Sequence, residues 1–96
     1  MSEVSLVVLI EVQDGKGDEQ VAAFANLAPV VRAEEGCLEY NLFQVRDAKN
    51  QFALLEKWAS DAAHAAHLAT PHMLEAAKRN PAFRAGAATV LKLAPV

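Results

Sequence analysis

Ninety-six residues carry nine Lys/Arg against twelve Asp/Glu, a formal charge of −3, and 53% of them are hydrophobic. The length fits one domain, residues 1–96, and leaves no room for a second. With no basic stripe and no Lys/Arg-rich amphipathic helix, nucleic acid and anionic membranes are not expected partners. An apolar fraction this high in so small a body points instead to a surface covered by another protein.

The chain opens on Met-Ser-Glu-Val, without the basic region of a signal peptide. Val4 to Val12 (VSLVVLIEV) is β-branched and nearly continuous, the pattern of a strand buried on both faces. Its longest apolar run, Leu6 to Ile10, is far too short to span a bilayer. Asp14-Gly15-Lys16-Gly17 is a turn. Asp18 is the expected N-cap of a helix whose core face carries Val21, Phe24, Ala28 and Val31. Pro29 is expected to kink that helix near Ala25, and Gly36 to cap its C-terminus. Cys37 is the only cysteine, so no internal disulfide forms, and a reducing cytoplasm is the expected location.

Leu38 to Val45 and Phe52 to Trp58 read as two strands joined by a short polar hairpin. Period two places Phe52, Leu54, Glu56 and Trp58 on one face. Ser60 caps an alanine-rich helix from Asp61 to about Leu68. Thr70-Pro71 then restarts a helix in a new direction, and Asn80-Pro81 ends it. Ala87 to Leu93 is the last strand. The order β-α-β-β-α-β is the α+β, ferredoxin-like arrangement, a four-stranded antiparallel sheet with helices on one face. The apolar character of both sides of the first strand argues that a second copy covers the other face.

Three histidines fall within nine residues: His64, His67 and His72. No dependable third ligand accompanies the HxxH pair, Asp61 and Glu56 being the nearest options, so no metal is expected. Proton transfer suits the residues better, because an ordinary imidazole titrates near neutral pH. The small side chains Ala62, Ala63, Ala65 and Ala66 leave space between helix and sheet. Phe24, Tyr40, Leu42, Leu54 and Trp58 would line it as an apolar pocket. A plain structural role for His67, hydrogen-bonded to Glu56, is the competing interpretation. Glu56, mid-strand on a partly buried face, needs a partner, and His67 or the Tyr40 hydroxyl would serve. His64 is expected to face solvent. His72 starts a helix, where the dipole disfavours imidazolium, so it is read as neutral and packing or capping. No phosphate loop, nucleophile elbow or zinc-ribbon spacing is present.

Glu34-Glu35-Gly36-Cys37-Leu38-Glu39-Tyr40, Phe52-Ala53-Leu54-Leu55-Glu56-Lys57-Trp58 with Ser60, and Ala66-His67-Leu68-Ala69-Thr70-Pro71-His72-Met73 stand in order along the chain. Together they resemble the "EEGCLxY", "F-x-L-x-E-x-W-x-S" and "AHLxTPHM" stretches of the antibiotic biosynthesis monooxygenase (ABM) family, nearest its small bacterial quinol monooxygenase-like proteins. The resemblance implies a homodimeric α/β barrel built from two ferredoxin-like sheets, with a pocket in each subunit between sheet and helices. It implies oxidation of a small phenol or hydroquinone by dioxygen with no metal, flavin or haem. On this expectation His67 and Glu56 are catalytic, and Tyr40, Trp58, Phe24, Leu42, Leu54 and His72 bind substrate. Haem-degrading members use a first-strand asparagine, a helical tryptophan and a later histidine. Here Val4 to Val12 holds no asparagine, and His67 and Ala77 stand at the other two positions, which argues against haem. Sugar-phosphate isomerase members acting on a quorum signal share an "HxxTPH" segment and remain an alternative, as does a non-catalytic ligand-binding dimer. A basic cluster at the pocket drawn from Lys78, Arg79 and Arg84 would favour the isomerase.

Overall fold

A computed structural model describes residues 2–96. In chain order the elements are β1 (Val4–Glu11), α1 (Gly17–Arg32), β2 (Cys37–Gln44), β3 (Gln51–Trp58), α2 (Asp61–Leu68), α3 (Pro71–Arg79), a 3₁₀ turn (Asn80–Ala82) and β4 (Thr89–Leu93). The sheet order is β2-β3-β1-β4 with every neighbouring pair antiparallel. This is the ferredoxin-like fold expected from the element order, with the second helical segment broken in two. Among the described residues no helix is long and apolar enough to cross a membrane.

The two faces of the sheet differ because side chains alternate along each strand. Val4, Leu6, Val8 and Ile10 of β1 and Phe52, Leu54, Glu56 and Trp58 of β3 are buried beneath the helices. Each such aliphatic side chain contributes roughly 1.5–3 kcal/mol relative to leaving it in water. On the opposite face Leu9, Phe43, Leu55, Leu91 and Leu93 are exposed. Cross-strand pairing of Val7 with Leu55 and Leu91, and of Asn41 with Leu55, puts these side chains in one patch.

Several local expectations need correction. The N-cap of α1 is Lys16, which makes no side-chain cap bond, and Asp18 and Glu19 occupy the first turn. The chain enters the helix one step after the Gly15 turn, too early for Asp18 to cap it. The helix continues through Pro29 to Arg32 and closes at Ala33, with Ala33 N–H donating to the Pro29 carbonyl. Pro29 thus sits inside the helix, withholding a donor from the Ala25 carbonyl without ending it. β4 starts two residues later than expected. Ser60 and Thr70 do cap α2 and α3, their hydroxyls accepting from the Ala63 and Met73 N–H groups.

Gly36 lies beyond the helix cap, with φ of 84°. Its role is close approach: a Cβ there would sit 2.6 Å from the Ala63 Cβ on α2. Gly36→Ala is therefore expected to cost about 2–4 kcal/mol, combining left-handed strain with overpacking. Urea denaturation of the two proteins measures it, and a loss below about 0.5 kcal/mol would show that the turn relaxes freely.

Candidate functional site

Between the helices and the inner sheet face lies a cavity of about 650 Å³, within the range of small-molecule sites. Its wall is mostly apolar and includes Phe24, Tyr40, Leu42, Leu54, Leu68 and Met73. Its polar groups are few: His64, His67 and His72 with Glu56 on one side, and Gln20, Asn80 and Arg84 among the rest.

His67 stands at the centre of the polar cluster and is 1% exposed. It lies in the last turn of α2, which Ser60 starts and the Thr70-Pro71 pair stops. The Thr70 hydroxyl also donates to the His67 carbonyl at 2.8 Å, fixing that turn. The imidazole Nδ1–H donates to Glu34 Oε2 at 2.9 Å, and its Nε2 is 3.9 Å from Glu56 Oε1. His72 Nε2–H donates to the same Glu34 Oε2 at 2.7 Å. An ionised carboxylate only accepts, so both contacts assign the ring protons. The nitrogen of His67 left to take up a proton is Nε2, beside the Glu56 carboxylate.

Glu56 is 7% exposed. Its partner is the Trp58 indole N–H, which donates to Oε1 at 3.0 Å. The Trp58 ring packs against His67 with centroids 4.4 Å apart. Trp58 itself is 0% exposed and lies behind His67, away from the cavity wall. Its one donor is engaged with Glu56, so it supports the site from below and does not offer a substrate contact. Tyr40 does line the cavity. Its ring stacks on Phe24 at 5.5 Å and meets His67 edge-on at 6.0 Å. Burial, then the Glu56 charge, push the Tyr40 phenol well above its ordinary pKa, against a weaker opposing pull from Arg84. The hydroxyl thus stays protonated and able to donate at neutral pH. Arg32 clasps the backbone beneath it, its Nη2 donating to the Tyr40 carbonyl at 2.8 Å.

Two histidines depart from expectation. His64 is half-buried on the cavity wall instead of facing solvent, and burial lowers its pKa. His72 is anchored by Glu34 rather than by its own helix terminus. Glu34 itself was not among the expected site residues. The tight Gly36 turn brings Glu34 against α2 and α3, within reach of both histidines. The metal question changes with it. Glu34, His67 and His72 present ligand atoms within 4.8 Å of one another and could together hold a divalent cation. Doing so would replace both N–H···O bonds that now join them.

The family model described as "Antibiotic biosynthesis monooxygenase" matches residues 4–79. The Bacillus subtilis protein named "Putative monooxygenase YcnE" is 36% identical over 69 residues, covering 72% of this chain and 73% of that protein. Two crystal structures superpose closely. PA3566 from Pseudomonas aeruginosa has a TM-score of 0.90 and 28% identity, over 100% of this chain and 96% of its own. SO0527 from Shewanella oneidensis has a TM-score of 0.87 and 26% identity, over 95% and 88%. On the match of the family model, which takes in all three helices and every residue of the histidine–glutamate cluster, the chain belongs to the antibiotic biosynthesis monooxygenase family.

Proposed function

We propose that the protein is a cofactor-independent monooxygenase that oxidises a small phenol or hydroquinone with dioxygen in the cavity. The observation that carries this reading is a base with a defined free nitrogen in a mostly apolar cavity. His67 Nε2 removes the substrate hydroxyl proton, and Glu56 at 3.9 Å stabilises the imidazolium that results. The phenolate transfers one electron to dioxygen. The substrate radical and superoxide then combine into a carbon–oxygen bond, and the peroxide collapses to a carbonyl. One oxygen atom stays in the product, the other leaves as water, and all the electrons come from the substrate. Glu34 holds the imidazole in the tautomer this requires, and Tyr40 can donate to the substrate oxygen. The apolar walls exclude water from the radical pair.

Oxygen-electrode measurements with a panel of dihydroxynaphthalenes and anthrones test the proposal. Uptake with at least one member, with loss of substrate in equal amount, is expected. No uptake with any of them removes the substrate class. The sugar-phosphate isomerase is a weaker alternative. Lys78 and Arg79 are largely exposed and face Glu75 at 3.9 and 3.8 Å. Arg79 and Arg84 both line the cavity, but Arg79 is paired with Glu75, so they form no cluster of unpaired cations there.

We also propose that two copies pair through the outer sheet face. The exposed patch of Leu9, Phe43, Leu55, Leu91 and Leu93 supports this, since a contiguous apolar surface of that kind usually marks an interface. Sedimentation at micromolar concentration is expected to show twice the 10.3 kDa chain mass. Phe43→Glu should shift the population toward monomer, and a wild-type protein that sediments as a monomer would overturn the assignment.

A further inference from the structure

Arg84 occupies an unusual position for a cation. It lines the cavity, is half-buried, and among the described residues no carboxylate pairs with it. A charge drawn partly out of water gains from an acceptor on each of its N–H groups. Here the Nε–H donates to Gln20 Oε1 at 3.0 Å, and no acceptor among the described residues engages the two Nη groups. Gln20 is itself 3% exposed and stands in the first turns of α1, so the plane of the guanidinium is set from below.

The backbone beneath the side chain is pinned as firmly. Arg84 N–H donates to the Asn80 carbonyl at 2.9 Å. The Gln13 side chain donates to the Arg84 carbonyl at 3.1 Å. An isolated bridge ties Arg84 to Val12 just past β1. A side chain kept only for solubility has no need of this. The arrangement leaves one edge of a rigid, oriented guanidinium open to the cavity, which is the geometry that receives two oxygens of an oxyanion. Tyr40 lies within reach of both ends, its ring against His67 and its hydroxyl in the field of Arg84.

We infer that the natural ligand of this cavity is an organic anion, an electron-rich ring or enol carrying a carboxylate or a phosphate, with the anionic group on Arg84. The inference rests on the cavity being the substrate site proposed above and adds to it the charge of the substrate. The anionic group anchors the molecule and leaves its reactive hydroxyl to be presented to His67. An uncharged hydroquinone would satisfy His67 and displace water from the Arg84 Nη groups without supplying an acceptor in its place.

Calorimetric titration under anaerobic conditions tests this, because binding is read without turnover. The probes share one ring system: naphthol, hydroxynaphthoate and naphthyl phosphate. The wild-type protein is expected to bind one or both charged probes about ten- to a hundredfold more tightly than naphthol, as a charge-assisted bidentate contact requires. Preference for the carboxylate or for the phosphate identifies which oxyanion the site is built for. Arg84→Gln should bring the ratio of the Kd values close to one, and Arg84→Lys should keep part of it. Equal binding of all three probes, no binding of any, or an unchanged ratio in a folded Arg84→Gln protein overturns the inference. A charge preference without oxygen uptake would leave the inference standing and remove only the oxygenase.

Discussion

His67→Ala is expected to lower turnover of an accepted phenol or hydroquinone by about a hundred- to ten-thousand-fold, the usual loss of a positioned base. The effect should fall on kcat, because His67 contributes one edge of a mostly apolar cavity and little of the binding surface. His67→Gln serves as the companion variant: it keeps a polar group of similar volume in a buried position but cannot act as a base. Both variants losing activity while retaining their secondary structure identifies proton transfer. Activity surviving in either with less than about a tenfold loss removes His67 from that role. Glu34→Gln is expected to lose less than His67→Ala, since the base remains and only its orientation is loosened.

The largest effect on stability is expected at Trp58. Trp58→Ala empties the space of a fully buried indole, which costs about 3–5 kcal/mol. It also strips Glu56 of its donor, leaving a buried carboxylate without a neutral partner, at roughly 1–3 kcal/mol more. Against a total stability of about 5–15 kcal/mol, this variant sits at or beyond the edge of folding. Trp58→Phe separates the two terms, keeping most of the ring volume and losing only the hydrogen bond. Chemical denaturation should place it about 1–3 kcal/mol below the wild type. A phenylalanine variant as stable as the wild type would mean that Glu56 finds another donor.

The fold was legible because its signals are local. The turn at Gly15, the Ser60 and Thr70 caps and the two-residue period of β1 and β3 each act within a few residues. His67, Tyr40 and Glu56 could be put around one space for the same reason: period and topology place them on facing surfaces. What the sequence hid was the pairing of polar groups across the fold. Glu56 meets Trp58, two residues on, although both His67 and Tyr40 were reasonable partners. The shared period-two face was the available clue, since it puts the indole N–H beside the carboxylate. Glu34 was harder. Its distance from His67 in sequence is 33 residues, and only the Gly36 turn, with a backbone angle closed to most side chains, turns it inward. Two histidines each in need of an acceptor, with a single acidic pair at the end of a neighbouring helix, was the one count that could have found it. Arg84 was legible as a candidate cation, but its isolation from carboxylates is a property of the packed structure.

One oxygen atom of Glu34 accepts from two imidazoles carried by two different helices. This makes the tolerance of positions 34, 67 and 72 to change unequal. Loss of the glutamate strands two donors at once, whereas loss of either histidine removes only one contact and leaves the other pair intact. A lineage can therefore discard His72 and keep the rest, but replacement of Glu34 must follow or accompany a change at both histidines. Among descendants of this sequence, the glutamate should not vary while both histidines remain.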